Sequence, residues 1–169
     1  DISNKERLIS YQKYIAHVPQ NIYLSDGTII ENIAFGIEKK LINSSRVKKA
    51  AKAALINNII DNNKEGYYMN IGENGIKLSG GQRQRIGISR ALYKDFDLLF
   101  LDEATSALDS DTEKKIIENL EKVYPDITII MIAHRLETLY ICDKVICMER
   151  GGINELITGS ELKERQKIK

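Results

Sequence analysis

The chain is poor in the residues that mark several large classes of protein. Tryptophan is absent, and proline, cysteine and histidine each occur twice among 169 residues. Cys142 and Cys147 flank one apolar segment with no further Cys or His nearby, so we interpret them as reduced thiols rather than as metal ligands. The formal net charge of +1 provides no basic field for nucleic acid. We therefore expect no nucleic-acid partner.

Long hydrophobic runs are also missing. The longest clear one, Ile129–Ala133, is far too short to cross a bilayer. A composition of 43% hydrophobic and 29% charged residues suits a globular protein of one ordinary domain with its own core. Because the first residue is Asp1 rather than Met, we expect the chain to be a piece of something longer.

The glycine pair in Ser79-Gly80-Gly81-Gln82 is the most informative segment that is present. Ser79 is a suitable N-cap for a helix that we predict to end at Leu92. Bare backbone N–H groups, a hydroxyl and the positive end of a helix dipole can together bind one anion, and phosphate is the anion we expect. Gly-Gly turns are common, so this segment alone is a moderate signal.

Two carboxylates follow an apolar strand predicted at Asp97–Leu101. The carboxyl ends of parallel strands form the edge of a sheet where ligands bind. We expect Asp102 to hold Mg²⁺, through water, and Glu103 to polarise an attacking water. An isolated Asp-Glu pair would more often be a solvated turn, but four preceding apolar residues favour the functional interpretation.

Gln20 and His134 also follow predicted strands, at Tyr14–Val18 and Ile127–Ala133. An amide can bind a metal or a water, and an imidazole can donate to a phosphate oxygen. Each residue taken alone would more often be structural. Their shared place at strand ends, together with the other motifs, predicts a nucleotide-hydrolysing site.

The remaining pattern predicts helices at Ile29–Ala34, at 46–60 with Ser44 or Ser45 as its cap, at Asp111–Tyr124 and at Leu136–Cys142. It also predicts a strand at Lys144–Met148, a turn at Gly151-Gly152 and a short strand near Ile153. Strands that alternate with helices indicate a parallel sheet covered on both faces. We predict an α/β core built from residues 1–22 and 94–169, and a helical subdomain at residues 23–93.

These motifs, in this order, resemble the nucleotide-binding domain of ATP-binding cassette (ABC) transporters from about Lys13 to Glu155. Val18-Pro19-Gln20 resembles the Q-loop, Leu78–Gln82 the signature, and Leu98–Asp102 the Walker B strand, with Glu103 in the place of the catalytic glutamate. Ser106–Asp109 resembles the D-loop and Ile132–Leu136 the H-loop. The resemblance implies an α/β fold, a partial P-loop ATPase core with a mostly parallel sheet plus an α-helical subdomain that carries the signature.

Two further segments are similar to exporters whose membrane and ATPase domains share one polypeptide. Leu24–Ile33 resembles the segment after their Q-loop, and Ile71–Gly75 resembles their X-loop, with Asn74 where an Arg is common. In the family this region couples ATP binding to the membrane domain. The Asn74 departure bears on that contact and not on the class.

One motif of the family is missing, because the chain contains no Gly-x-x-x-x-Gly-Lys-[Ser/Thr]. That loop wraps the phosphates and supplies a lysine. We therefore expect the chain to be the C-terminal part of the domain and to be inactive, or very slow, as an ATPase by itself. Its exposed sheet edges could pair with another copy.

The resemblance also implies ligands and partners. The ligands are ATP and Mg²⁺, with Asp102 and Gln20 at the metal and Glu103, Gln20 and His134 catalytic. Ser79, Gly80, Gly81, Gln82 and Asp109 would bind nucleotide, the signature residues serving ATP held by a second nucleotide-binding domain, like or unlike this one. The full-length protein would use ATP hydrolysis for export or lipid flipping at the cytoplasmic face of the cell membrane, through its transmembrane domain.

Two other interpretations remain open from the sequence. One is the C-terminal ATPase lobe of a chromosome-maintenance type ATPase, which carries signature, Walker B and His without its own Walker A. The lack of coiled-coil heptads and the segment Leu24–Ile33 favour the exporter. The other is a non-catalytic module that keeps only the fold, against which stand the intact Glu103 and His134.

Overall fold

The computed structural model describes residues 11–167. They form two compact units, divided between Ile132 and Ala133. In chain order the first contains β1 (Ile15–Val18), α1 (Ile29–Ile33), α2 (Ser44–Ala53), α3 (Asn57–Asp61), α4 (Gly80–Tyr93), β2 (Leu98–Asp102), α5 (Ser110–Val123) and β3 (Thr128–Ile132), with 3-10 turns at Lys39–Leu41, Gly66–Tyr68 and Glu73–Gly75. The second contains a 3-10 turn (Leu136–Ile141), β4 (Val145–Glu149), β5 (Gly152–Ile157) and α6 (Gly159–Lys167).

The strands of the first unit form a parallel sheet in the order β1-β2-β3. Val18 pairs with Leu101, and Asp102 pairs with Ile132, so the three strands end side by side. The predicted strands are confirmed, with shifts of about a residue at their ends. Their carboxyl edge is the place where we expected the functional side chains.

Only one face of this sheet belongs to the core. Ala16, Val18, Leu99 and Leu101 are buried there, together with residues of α4 and α5 such as Leu92 and Ile116. On the other face Ile130 and Ile132 are 46% and 48% exposed. Within the first unit the described helices pack on one side of the sheet, so the prediction of a sheet covered on both faces is wrong for that unit.

The helix predicted at 46–60 is two helices in the structure. α2 ends at Ala53, Leu55 has a φ of 56°, and α3 begins at Asn57. The side chain of Asn43, rather than Ser44 or Ser45, caps α2 by accepting a hydrogen bond from the N–H of Arg46 at 3.0 Å. A left-handed residue cannot continue a right-handed helix, so the chain changes direction at Leu55.

The second unit is built around a hairpin and not around a further parallel strand. β4 pairs antiparallel with β5, and the turn lies at Arg150-Gly151, one residue earlier than predicted. Val145, Ile157 and Leu162 form its core, with Cys142 and Cys147 packed beside it. Antiparallel pairing follows from the two-residue connection, since parallel strands need a long crossover.

No helix in residues 11–167 is both long and apolar enough to cross a membrane. The division of the chain into residues 1–22 with 94–169 and residues 23–93 stays a prediction.

Candidate functional site

Gln20 and Glu103 meet at the carboxyl edge of the parallel sheet. Gln20 lies two residues beyond β1, and Glu103 directly follows β2. The Nε2 group of Gln20 donates a hydrogen bond to Oε2 of Glu103. Two residues 83 positions apart are thus brought together, as expected from the parallel pairing of their strands.

The backbone of Glu103 departs from the strand that leads to it. Its φ is 49°, and its N–H donates to the carbonyl oxygen of Ile132 at 3.1 Å. A left-handed conformation costs about 1–2 kcal/mol for a residue with a Cβ, and such strain concentrates at functional sites. The conformation ends the strand alternation directly after Asp102, which is half-buried as the last residue of β2.

Oxygen donors at this edge match the preferences of Mg²⁺. Asp102, the last residue of β2, supplies a carboxylate at this edge, and Gln20, whose Nε2 is bound to Glu103, supplies an amide oxygen. No group of three or more His, Cys, Asp or Glu residues suited to a metal occurs within residues 11–167. Magnesium commonly takes one or two carboxylates and completes its shell with phosphates and water, so the residues present fit this ion.

The glycine turn forms the start of α4, as predicted. Ser79 is the N-cap; its Oγ accepts from the N–H of Gln82 at 3.3 Å, and Oε1 of Gln82 accepts from the N–H of Ser79 at 2.8 Å. This capping box leaves the Ser79 hydroxyl hydrogen able to donate. The N–H groups of Gly80 and Gly81 have no carbonyl partner within the helix, because they belong to its first turn.

The same glycines allow the loop after Glu103 to approach closely. A Cβ on Gly81 would lie 3.0 Å from the carbonyl oxygen of Ala107 and 3.1 Å from Cδ2 of Leu108. One on Gly80 would lie 3.5 Å from Cβ of Ala107. The glycine pair therefore has a packing role inside the chain that the sequence pattern did not reveal.

Gln84 is a second residue of this region that sequence reasoning missed. It is 6% exposed; its Nε2 donates to Oγ of Ser106 at 3.0 Å, and its Oε1 accepts from the N–H of Ala107 at 2.9 Å. The available signal was its position four residues before Ile88, on the buried face of α4. A polar residue on that face has to find partners.

Asp109 serves first as the N-cap of α5. It accepts from the N–H of Thr112 at 2.9 Å and from Oγ1 of Thr112 at 2.7 Å. These bonds, the hydroxyl bond foremost, hold the pKa of the exposed Asp109 below its usual value. A role of Asp109 toward nucleotide stays a prediction.

His134 lies two residues after β3 and is exposed, within the second compact unit. The structure thus brings Gln20 into contact with Glu103, which directly follows Asp102. It also packs residues 79–84 against the loop that follows Glu103. The role expected for His134 stays a prediction.

Two side chains, the buried amide of Asn32 and the guanidinium of Arg90, connect the segment after Gln20 to α4. Asn32 is fully buried; its Nδ2 donates to the carbonyl oxygens of Ser25 and Thr28, each at 3.0 Å. Arg90 donates to the carbonyl oxygens of Asn32 at 2.8 Å and Tyr23 at 2.7 Å. Its guanidinium also lies over the ring of Phe35, 4.6 Å from the centroid.

Residues 21–23, just before the first exporter-like segment, and residues of the second, Ile71–Gly75, line one open groove of about 650 Å³. Gly72, Asn74 and Gly75 all have positive φ values, so the second segment is a tight turn. The groove is lined by Asn21, Ile22, Tyr23, Glu73, Asn74, Ile76 and Arg83. A tyrosine and an isoleucine there, Tyr23 and Ile76, are 63% and 78% exposed.

Comparison with known proteins places these features in one family. The family model described as ABC transporter matches residues 1–106. An ATP-dependent lipid A-core flippase of Ralstonia nicotianae is 44% identical over 155 residues, which cover 91% of this chain and 26% of the flippase. A mitochondrial iron-sulfur clusters transporter, ATM1, of Yarrowia lipolytica is 40% identical over 92% of this chain and 22% of that protein.

A solved structure of a bacterial Atm1-family ABC exporter with ATP bound superposes with a TM-score of 0.82 and 37% sequence identity. The match covers 92% of this chain and 27% of that one. The chain therefore spans about a quarter of the length of the relatives that it matches.

Proposed function

This chain belongs to the ABC transporter family, and on that premise we propose that it is the signature-bearing part of a nucleotide-binding domain whose full-length protein hydrolyses ATP to drive export or lipid flipping. The contact between Gln20 and Glu103, beside Asp102 at the carboxyl edge of the sheet, carries this proposal. The named relatives are a flippase and a transporter, so the chromosome-maintenance alternative is not favoured.

Each residue at the sheet edge has a role toward the domain's own nucleotide. Asp102 and the Oε1 of Gln20 would hold Mg²⁺, which would neutralise negative charge on the phosphates. Glu103 acts as general base and accepts the proton of the attacking water at its carboxylate. Gln20 orients that carboxylate through its amide, and His134 donates a hydrogen bond to the terminal phosphate.

The start of α4 faces a different nucleotide, held by a second nucleotide-binding domain. The hydroxyl of Ser79 and the N–H groups of Gly80 and Gly81 bind its phosphates at the positive end of the helix dipole. Gln82 keeps these groups in place through the capping box. Asp109 contacts the same nucleotide site from the N-terminus of α5.

The groove beside Tyr23 and Ile76 is the surface at which the transmembrane domain of the same protein docks. The side chains of Tyr23, in the segment after Gln20, and of Ile76, next to the turn at Glu73–Gly75, are both largely exposed there, as at an interaction site. The location proposed for the domain is accordingly the cytoplasmic face of the membrane.

The experiment that tests the hydrolytic site is Glu103→Gln in the full-length protein. Loss of the general base should lower the rate of ATP hydrolysis by about 10²–10⁴-fold, while ATP still binds. Steady-state ATPase assays and nucleotide-binding titrations measure the two effects separately. Glu121→Gln, at an exposed position of α5, is the matched control and should leave the rate unchanged.

The 169 residues contain no Gly-x-x-x-x-Gly-Lys-[Ser/Thr], so by themselves they should hydrolyse ATP very slowly or not at all. An unaltered ATPase rate in full-length Glu103→Gln would remove the proposed role of Glu103. A turnover in the 169-residue chain equal to that of the full-length protein would remove the division of roles between two domains.

A further inference from the structure

The loop after Glu103 is held by buried polar side chains from two helices. Gln84 of α4 uses both ends of one amide on consecutive loop residues, the hydroxyl of Ser106 at 3.0 Å and the N–H of Ala107 at 2.9 Å. On the other side, Oγ1 of Thr105 donates to Oε1 of Glu113, which is 4% exposed in α5. Buried bonds of this kind fix the loop more strictly than apolar packing would.

The loop also lies against the first turn of α4. Gly81 leaves just enough room for the carbonyl oxygen of Ala107, which a Cβ would approach to 3.0 Å. Gln84 comes three residues after Gly81, about one helical turn along α4. Residues 106–107 are therefore held to the start of α4 in two ways: by the side-chain amide of Gln84 and by the close packing of Gly81 against the backbone of Ala107.

The connection between Glu103 and residues 105–107 is short and restrained. Thr105 is two residues further on, and between them Ala104 is 1% exposed. The N–H of Ser106 donates back to the carbonyl oxygen of Glu103 at 3.1 Å. These contacts form a continuous connection from the glycine turn through residues 104–107 to the backbone of Glu103.

We propose that Gln84 is a positioning residue that couples the glycine turn at residues 79–82 to the carboxylate of Glu103. This proposal rests on the proposed function, since it assigns the amide of Gln84 to the communication between the two nucleotide contacts of one domain. Gln84 touches no substrate. Its hydrogen bonds make the loop at residues 105–107 move together with the start of α4. Glu103 therefore reaches its catalytic position when the glycine turn at residues 79–82 binds a phosphate.

The test replaces Gln84 by methionine in the full-length protein, which keeps the size of the side chain and removes both hydrogen bonds. We expect kcat for ATP to fall by about 10- to 100-fold, because a misplacement of about 1 Å has effects of that size. The KM for ATP should change by less than about twofold, since the direct nucleotide contacts are kept. Ser106→Ala removes one of the same bonds from the exposed side of the loop and should lower kcat in the same direction.

Ser89→Ala is the matched control, because Ser89 is a fully buried polar residue of the same helix. Its hydroxyl donates only within α4, to the carbonyl oxygen of Arg85 at 2.9 Å. This variant should lower the melting temperature by a few degrees and leave kcat unchanged. In a double-mutant cycle, Gln84→Met and Ser106→Ala should be strongly non-additive in kcat, because they interrupt one connection.

A second measurement does not depend on ATP hydrolysis. Hydrogen exchange of the amide of Ala107 in the nucleotide-free, full-length protein should accelerate at least tenfold in Gln84→Met and stay unchanged in Ser89→Ala. Retained protection of Ala107 in Gln84→Met would overturn the proposal, as would equal losses of kcat in Gln84→Met and Ser89→Ala. A wild-type protein without ATP turnover overturns the proposed function itself, whereas normal turnover in Gln84→Met overturns the coupling alone.

Discussion

Buried polar side chains in this protein hold loops in place. Asn32 and Gln84 are 0% and 6% exposed. Asn32 bonds the N–H and the carbonyl oxygen of Ser25 through the two ends of its amide, and Gln84 bonds the N–H of Ala107 and the hydroxyl of Ser106. The local sequence predicted the cap Ser79, whose partners are three residues away. It did not reveal Gln84, because the partners of Gln84 lie more than 20 positions along the chain.

A carboxylate at the start of α1 makes part of the stability dependent on pH. Oε2 of Glu31 accepts from the N–H and the hydroxyl of Thr28, each at 2.8 Å, and Oε1 pairs with Nζ of Lys39 at 2.5 Å. The hydrogen bond from Lys39, followed by those from Thr28, lowers the pKa of Glu31 from 4.5 to about 2. The stabilisation is fully present above pH 4.5 and is lost as the pH falls toward 2.

Glu31→Gln should therefore make the free energy of unfolding less dependent on pH below about 4.5. Glutamine can keep the capping hydrogen bonds, so the variant removes chiefly the charge. Because Lys39 is 86% exposed, solvent screening limits the loss at neutral pH to about 1 kcal/mol. Urea midpoints from pH 2 to 7 measure it, with Glu38→Gln as the exposed control; equal acid sensitivity of Glu31→Gln and wild type would contradict the assignment.

Helices and strands were predicted well where their ends carry local signals. Ser79 before the glycine pair fixed the start of α4, and Pro19 marked the end of β1. The break at Leu55 was missed, because leucine has no preference for a positive φ and nothing in the local pattern indicates one. Tertiary packing decides such positions: the carbonyl oxygen of Leu55 accepts from Nη1 of Arg85 at 2.7 Å.

The turn between β4 and β5 offers a test at the scale of one element. Arg150 and Gly151 both have positive φ, 50° and 80°, as a two-residue type I′ turn requires. Arg150→Asn supplies the preferred Asn-Gly pair and should stabilise the hairpin by about 0.5 kcal/mol. Amide hydrogen exchange of Ile146 and Leu156 measures the change.

Gly151→Ala is the opposing variant of this pair. Its Cβ would meet nothing within 4 Å, so the expected loss of about 1 kcal/mol comes from the backbone conformation alone. If both variants exchanged as the wild type does, the hairpin would not depend on this turn.

At the scale of the molecule, the parallel direction of the strands in the first unit followed from their alternation with helices. Which face of each strand is exposed did not. β3 reads as a buried strand from its run of isoleucines, yet Ile130 and Ile132 are about half exposed. An alternating exposure along an all-apolar strand cannot be predicted from hydrophobicity, because both faces have the same character. The strand after β4 was predicted from the glycine pair at Gly151-Gly152, and the structure pairs it with β4 as an antiparallel hairpin.

One substitution should destabilise the second compact unit without destabilising the first. A Cβ on Gly159 would lie 2.5, 2.6 and 2.7 Å from the carbonyl oxygens of Leu139, Tyr140 and Cys142. Backbone atoms on three residues cannot all give way, so Gly159→Ala should destabilise this unit by about 3 kcal/mol or more. Hydrogen exchange should accelerate throughout residues 133–167 and stay slow in β1, β2 and β3.

Gly152→Ala is the control for this experiment, because its Cβ would make an ordinary contact of 3.8 Å with the carbonyl oxygen of Glu149. Acceleration spread evenly over both units in Gly159→Ala would show that they unfold as one body, contrary to the division at Ile132.

The attachment of residues 23–32 to α4 is made by a cation whose partners are neutral. Arg90 binds carbonyl and amide oxygens of Tyr23 and Asn32, and burial lowers its pKa. Dissolved ions weaken pairs of opposite charges in water, such as Arg46 with the exposed Asp95. Salt does not screen the hydrogen bonds between the buried guanidinium of Arg90 and uncharged oxygens. The attachment of residues 23–32 to α4 should therefore be equally strong at high and at low salt concentration.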